Sequence, residues 1–229
     1  MHVALIMDGN GRYGKNKYGS RSLGHKDGAE KLYEICKWYS KLDITHLTVY
    51  AFSTENWKRD AQEVSLLMRL LDKFTSDLLV SDEKREIKIK VYGDISALDK
   101  KLQEKIIKLE EKTKDNTKMV FGICLNYGGR DELIKAIKEI SNDVKNGVIN
   151  ENDNTPELVS SHLYTKDVPD PDFIIRTSNE YRLSNFLTWQ STYSELYFPK
   201  DVMWPDFDEN QFDKAIEEYI KRNRRFGGN

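Results

Sequence analysis

The chain has 229 residues, 38% hydrophobic and 32% charged, with a formal net charge of −2. That length fits one large domain or two small ones with a sizeable core, and the charge balance supplies no global field for nucleic acid or an anionic membrane. No apolar run approaches a membrane span and a strand pattern begins almost at once, at Val3, so no signal peptide is expected and a cytoplasmic protein is.

Strand patterns fall at 3–7, 45–52, 87–92, 119–125 and 172–176, with a short one near 196–198. Between them lie helix-period segments. Ala29, Leu32, Tyr33, Cys36 and Tyr39 share one face of 28–42, and Val64, Leu67, Met68, Leu71, Phe74 and Leu78 one face of 61–80. Leu98, Leu102, Ile106 and Leu109 mark a third helix, with Ser96 as its expected N-cap, and Leu133, Ile134, Ile137 and Ile140 a fourth. Thr155-Pro156 reads as an N-cap followed by proline in the first turn, and Phe212, Ala215, Ile216 and Tyr219 mark the last helix, about 209–222. Cys36 and Cys124 lie isolated in apolar stretches without metal-ligand spacing, as buried residues of a reducing compartment do. Strand–helix alternation predicts a single α/β domain with a mainly parallel six-stranded sheet flanked by helices. In such folds ligands bind at the carboxyl ends of the strands.

The first strand ends in Asp8-Gly9-Asn10-Gly11-Arg12. Glycines let backbone N–H groups approach an anion, and Arg12 adds a forked donor. Asp8 opposes a bare phosphate unless a divalent cation lies between them, which suggests Mg²⁺ with diphosphate. An ordinary glycine turn fits the loop equally well. The stretch from Gly9 to Lys26 holds no acid, but it holds Arg12, Lys15, Lys17, Arg21, His25 and Lys26. Gly9, Gly11 and Gly14 also match the dinucleotide fingerprint, but residues 14–23 read as irregular, and strand two ends far too late to supply the ribose-binding acid.

Strand two runs into Ser53, Thr54, Glu55, Asn56, Trp57, Lys58 and Arg59, a denser set of functional groups than a turn requires. Strand four runs into Asn126-Tyr127-Gly128-Gly129-Arg130, which suits a tight loop and a ligand contact equally. Strand five ends at Arg176, followed by Arg182, Leu183 and Ser184, a plausible second anion site. Glu195 is positioned by the sequence to return a second carboxylate to the metal.

These segments, taken with Arg21-x-x-Gly24-His25, Tyr50-Ala51-Phe52, and Trp204-Pro205-Asp206-Phe207, resemble the cis-prenyltransferases over nearly the whole chain, bacterial undecaprenyl diphosphate synthase most of all. The resemblance implies a homodimeric enzyme adding isopentenyl diphosphate repeatedly to an allylic diphosphate, with Mg²⁺, along an apolar tunnel enclosed by the fold. It implies that Asp8 is catalytic and metal-associated, that Glu195 is a second metal carboxylate, and that Asn56 is the proton acceptor, with Ser53, Thr54, Glu55, Trp57 and Arg59 around it. It places Gly9, Asn10, Gly11, Arg12, Tyr13, Arg21 and His25 about the allylic diphosphate, and Arg176, Arg182, Leu183 and Ser184 about isopentenyl diphosphate. Arg225-Phe226-Gly227 resembles a tail that reaches the partner subunit. Small Ala51, helix 61–80 and Met119 are expected along the tunnel, with a product near C55 and peripheral membrane contact for its release. Tyr13 stands where tryptophan is usual, Tyr181 where histidine sometimes occurs, and Ser178-Asn179 where Gly-Gly is frequent. The rival readings are a non-catalytic partner subunit and a diphosphate-binding protein of another kind; partner subunits typically lose the Asp and the strand-two cluster, and this chain keeps both.

Overall fold

The computed structural model describes residues 1–38, 44–80 and 86–222; Tyr39 and the tail segment 225–227 lie outside the described residues. Six strands form one sheet: β1 (His2–Ile6), β2 (His46–Ser53), β3 (Ile87–Tyr92), β4 (Met119–Tyr127), β5 (Phe173–Arg176) and β6 (Glu195–Tyr197). Their order is β3-β4-β2-β1-β5-β6, and every neighbouring pair is parallel. The sheet is thus wholly parallel, where the sequence predicted a mainly parallel one.

All five β1 residues are buried, as a strand covered on both faces requires. Val3 and Leu5 point into the larger core, with Leu32, Ile35, Phe74, Leu102, Ile106, Phe212 and Ile216. These come from α2 (Arg21–Trp38), α3 (Ala61–Val80), α4 (Lys100–Thr113) and α7 (Glu209–Lys221). Ala4 and Ile6 point to the opposite face, where Cys124, Tyr127, Ile174, Phe186 and Leu187 close a smaller core. On that side Glu132 of α5 (Gly129–Lys145), fully buried, accepts hydrogen bonds from Tyr127 Oη (2.5 Å), Tyr164 N (2.8 Å) and Gln190 Nε2 (3.0 Å).

Two expectations need correction. Residues 14–23 are not irregular: α1 (Asn10–Tyr18) opens directly at Gly9, and α2 begins at Arg21. Five glycines between 11 and 28 masked these helices, since glycine is a poor helix former. Packing demands some of them. A Cβ on Gly14 would stand 2.4 Å from Gly24 N, and one on Gly24 would stand 2.0 Å from Asn10 O. A helix therefore does open at the glycine loop, and only the late end of β2, at Ser53, still argues against a dinucleotide fold. The N-cap of α4 is Asp99, whose carboxylate accepts from Leu102 N at 3.0 Å; Ser96 lies in a preceding 3₁₀ turn capped by Asp94. Thr155 does cap α6 (Pro156–Ser161), accepting from Leu158 N at 3.2 Å.

Candidate active site

Asp8 follows β1 at the carboxyl edge of the sheet, and its backbone is clamped. Its N–H donates to Thr177 Oγ1 (3.1 Å), the Thr177 hydroxyl donates to its carbonyl (2.6 Å), and Trp204 N donates to that same carbonyl (3.0 Å). The Trp204 indole, buried, reaches Gly28 O at 2.9 Å. The Trp-Pro-Asp-Phe segment thus braces the Asp8 turn from behind. The Asp8 carboxylate accepts from Gly9 N (2.7 Å) and Arg176 Nη2 (2.8 Å), with Arg12 Nη2 3.6 Å away. Burial alone would raise its pKa, but Arg176, the Gly9 N–H and Arg12 outweigh that and hold it below the ordinary carboxylate value.

Arg176 ends β5 with only 4% of its surface exposed. It also donates to Arg182 O and to Ser184 Oγ (2.8 Å), while its buried Nε has no partner among the described residues. Arg12 donates to Ser178 Oγ at 2.6 Å and lies 3.3 Å from Glu180, which also pairs with Arg182. The loop carrying Arg182 and Ser184 is pegged by fully buried Phe186, stacked on Tyr50 at 4.6 Å, and by Leu187. Ser178 and Asn179 keep left-handed backbones, φ 79° and 56°, so the loop retains a glycine-like path without glycine.

A second wall comes from α2, α3 and the β2 loop. Glu63 gathers three basic groups: Arg59 Nη1 at 2.8 Å, His25 Nε2 at 3.2 Å and Arg21 Nε at 3.4 Å. Burial lowers the pKa of His25; Glu63 works against this and Arg59 with it. Glu63 itself, raised by burial, is brought below its ordinary value by Arg59, His25 and Arg21. The sequence reading passed over Glu63 because an acid in the first turn of a helix is ordinary capping chemistry.

The third side is the turn after β2. Asn56 Oδ1 accepts the Ser53 N–H at 3.1 Å, and the Ser53 side chain accepts the Asn56 N–H in return. Since a backbone N–H only donates, the amide oxygen is fixed on Ser53 and the Asn56 NH₂ is left to the cavity. Glu55 accepts from Asn185 Nδ2 at 2.9 Å; burial raises its carboxyl, and Asn185 with nearby N–H and hydroxyl donors brings it below the ordinary value.

These walls enclose a cleft of about 790 Å³ lined by Asp8, Gly9, Asn10, Gly11, Arg12, Arg21, His25, Ser53, Glu55, Asn56, Arg59, Arg176, Arg182 and Ser184. Also lining it are Ile6, Met7, Tyr50, Ala51, Leu67, Glu180 and Asn185. Five arginines face three carboxylates, a surplus suited to anions. Several expected residues lie off it. Thr54 Oγ1 donates to Asp131 (2.9 Å), and Trp57 Nε1 to Asn126 Oδ1 (2.7 Å), which ties the turn after β2 to the start of α5 and the end of β4. Tyr13 accepts from Lys17 and packs edge-on against Tyr18. Leu183 borders a neighbouring hollow of about 330 Å³ with Arg130 and Phe186. The Gly128-Gly129 loop is a docking point for Asn185: Gly129 N donates to Asn185 O (2.7 Å) and Arg130 N to Asn185 Oδ1 (2.8 Å).

Glu195 is not brought to Asp8. It pairs in register with Phe173, three residues short of Arg176, about 10 Å back along the sheet, and its carboxylate accepts from Arg222 at 2.8 Å. Ala51 and Leu67 reach the cleft, whereas Met119, 1% exposed, packs in the core. Among the described residues no three His, Cys, Asp or Glu side chains converge as metal ligands. What remains, one half-buried carboxylate ringed by arginines, fits a cation that draws its other ligands from phosphate oxygens.

A wholly parallel sheet with a cationic cleft at its carboxyl edge, on these segments, defines a transferase of the cis-prenyltransferase class. The chain belongs to the family described as "Putative undecaprenyl diphosphate synthase", matched over residues 6–227. It is 46% identical to an isoprenyl transferase of Clostridium tetani, across 99% of this chain and 89% of that one. It is 47% identical to one from Thermotoga maritima, across 99% and 96%. Among solved structures, lavandulyl diphosphate synthase from Lavandula x intermedia, in complex with dimethylallyl diphosphate, superposes with a TM-score of 0.94 at 33% identity, covering 99% and 97%. A "probable undecaprenyl diphosphate synthase" from Campylobacter jejuni superposes at 0.80 with 32% identity, covering 99% and 97%.

Proposed function

We propose that this cis-prenyltransferase is Mg²⁺-dependent and condenses isopentenyl diphosphate repeatedly onto an allylic diphosphate, farnesyl diphosphate, giving a product near C55 for a cell-wall carrier lipid. The observation that carries this reading is the pairing of two basic walls in one cleft. Arg21, His25 and Arg59 stand on one side, Arg176, Arg182 and Ser184 on the other, and Asp8 lies between Arg12 and Arg176. Two walls suit two diphosphates. Dimethylallyl diphosphate, the ligand in the lavender synthase structure, is an allylic diphosphate and supports the same reading. The proposal includes a homodimer and peripheral membrane contact during product release; among the described residues no helix is long and apolar enough to cross a membrane.

In the reaction the allylic C–O bond breaks, a C–C bond forms to the isopentenyl alkene, and a proton leaves C2 of the condensed unit. Bound Mg²⁺ would supply charge neutralisation at the departing diphosphate. The arginines present fixed donors where negative charge grows, without reorganising at that moment. Arg176, pinned by Asp8 and Ser184, holds one diphosphate in a set orientation relative to the other. Asn56 is a donor in this scheme. With its oxygen engaged by Ser53 N–H, its NH₂ orients substrate, and the proton passes to diphosphate. Asn56→Asp keeps the cap but removes the donor, so single-turnover condensation should fall; unchanged turnover would take Asn56 out of the mechanism.

The decisive experiment incubates the protein with radiolabelled isopentenyl diphosphate, farnesyl diphosphate and Mg²⁺. A ladder of cis-polyprenyl products ending near C55 is expected. No long-chain product would defeat the enzymatic reading, and a ladder ending elsewhere would revise the chain length.

A further inference from the structure

Ser178 holds a conformation that its side chain makes costly. Its φ is +79°, a left-handed backbone that glycine adopts freely and other residues adopt at some expense. It is 1% exposed, its N–H donates to Val202 O at 2.7 Å, and its Cβ lies 3.0 Å from where a Cβ on Gly9 would stand. The residue is thus wedged under the Asp8-Gly9 turn. Asn179, also left-handed, has a local reason for its identity: its side chain donates to Asp201 Oδ1 and accepts from Asp201 N, both at 2.7 Å. The Ser178 side chain makes no such bond to the Asp201 segment. Its hydroxyl has one partner among the described residues, Arg12 Nη2 at 2.6 Å.

The other groups near that guanidinium are carboxylates, Glu180 at 3.3 Å and Asp8 at 3.6 Å. A carboxylate holds an arginine by cancelling its charge. A neutral hydroxyl holds it in place and leaves the charge available. Arg12 is 43% exposed on its side chain, so without a fixed anchor it would sample several rotamers and bind an anion at an entropic cost.

We infer that Ser178 is a positioning residue: its hydroxyl fixes the Arg12 guanidinium in the cleft wall so that the remaining N–H donors meet a diphosphate already oriented. This rests on the reading of the cleft as a diphosphate site.

The sign of two measurements separates this role from a structural one. Ser178→Gly relieves the left-handed backbone and removes the hydroxyl, so its melting temperature should equal or exceed that of the parent. Its affinity for inorganic diphosphate with Mg²⁺, by titration calorimetry, should nevertheless weaken about tenfold, and KM for farnesyl diphosphate should rise more than kcat falls. Ser178→Ala should show the same weakening with a melting temperature below that of Ser178→Gly, because it keeps the strained Cβ. Arg12→Ala and the Arg12→Ala/Ser178→Gly double variant should bind alike within about twofold. Parent-like affinity in Ser178→Gly, or effects that multiply in the double variant, would overturn the inference while leaving the diphosphate site standing. A parent protein that binds no diphosphate would overturn the site reading and this inference with it.

Discussion

The two ends of β1 carry polar clusters of opposite design. At its start, His2 is buried among neutral partners: Nδ1 donates to Pro169 O at 2.7 Å and Nε2 accepts from Thr48 Oγ1 at 2.8 Å. Its backbone closes a loop with Asp172, donating to Oδ2 and accepting from Asp172 N. Each ring nitrogen is matched, and burial drives the pKa down from 6.5 to about 4. Just past the other end, Asp8 sits among arginines whose donors are only partly used, Arg176 Nε being one left over. The first cluster is complete within the chain and serves the fold. The second leaves donors open, as the proposed diphosphate site requires, because buried charge is costly unless a partner shares it.

Breaking each end in turn should give opposite phenotypes. Asp8→Asn should reduce single-turnover condensation by about 10²–10³-fold with the fold intact by circular dichroism. A smaller loss would demote the Asp8 end. His2 should instead control acid stability. The unfolded chain protonates this histidine near 6.5, whereas the folded chain resists until about 4. The unfolded state therefore binds more protons between those values, and stability falls as pH drops through that window, by up to about 3 kcal/mol. Urea unfolding of the parent and of His2→Gln from pH 7 to pH 4 checks this. The variant should lose that part of the pH dependence, with kcat per folded molecule unchanged at pH 7. Parallel pH curves would contradict the neutral-histidine account.

Much of this contrast could be read from the residue order. The six strands lie within about two residues of their predicted limits, since apolar runs bounded by turn residues locate buried parallel strands well. Asp8, Arg12, Arg176 and Ser184 line the cleft, and each ends or follows a strand at the carboxyl edge, which the order of residues makes readable. What the order of residues hid depended on contacts between distant segments. α1 and the start of α2 exist through glycine-to-backbone contact that no periodicity records. Glu63 became visible only when α3 met Arg21 and His25 of α2. The surroundings of Glu195 are of the same kind: the β5–β6 register sets it beside Phe173, where it meets Arg222 and not Asp8.

A finer test within the Asp8 end concerns Glu63, which orders Arg21, His25 and Arg59 without itself lining the cleft. Glu63→Gln keeps the shape and removes the charge that steadies the three. KM for the allylic diphosphate should rise about tenfold, with a smaller change in kcat. If the loss fell on kcat alone, Glu63 would belong to the chemistry and not to the arrangement of its donors.

The smallest effect on rate should come from the apolar rim. Ala51 on β2 and Leu67 on α3 meet the cleft beside its charged groups, and on α3 Val64, Met68, Leu71 and Leu78 are packed against the core yet only partly buried. Under the proposed function, a growing prenyl chain would meet this apolar surface beside the small Ala51 side chain. Ala51→Leu adds bulk at this rim and leaves the residues of both basic walls unchanged. The first condensation should proceed within about threefold of the parent rate, while overpacking at the rim blocks later additions and shortens the product ladder. Thin-layer separation of labelled products gives both quantities from one reaction. A shortened ladder with an intact first step would place chain-length control at β2 and α3, separate from the charged end of β1; an unchanged ladder would direct the growing chain along a different wall.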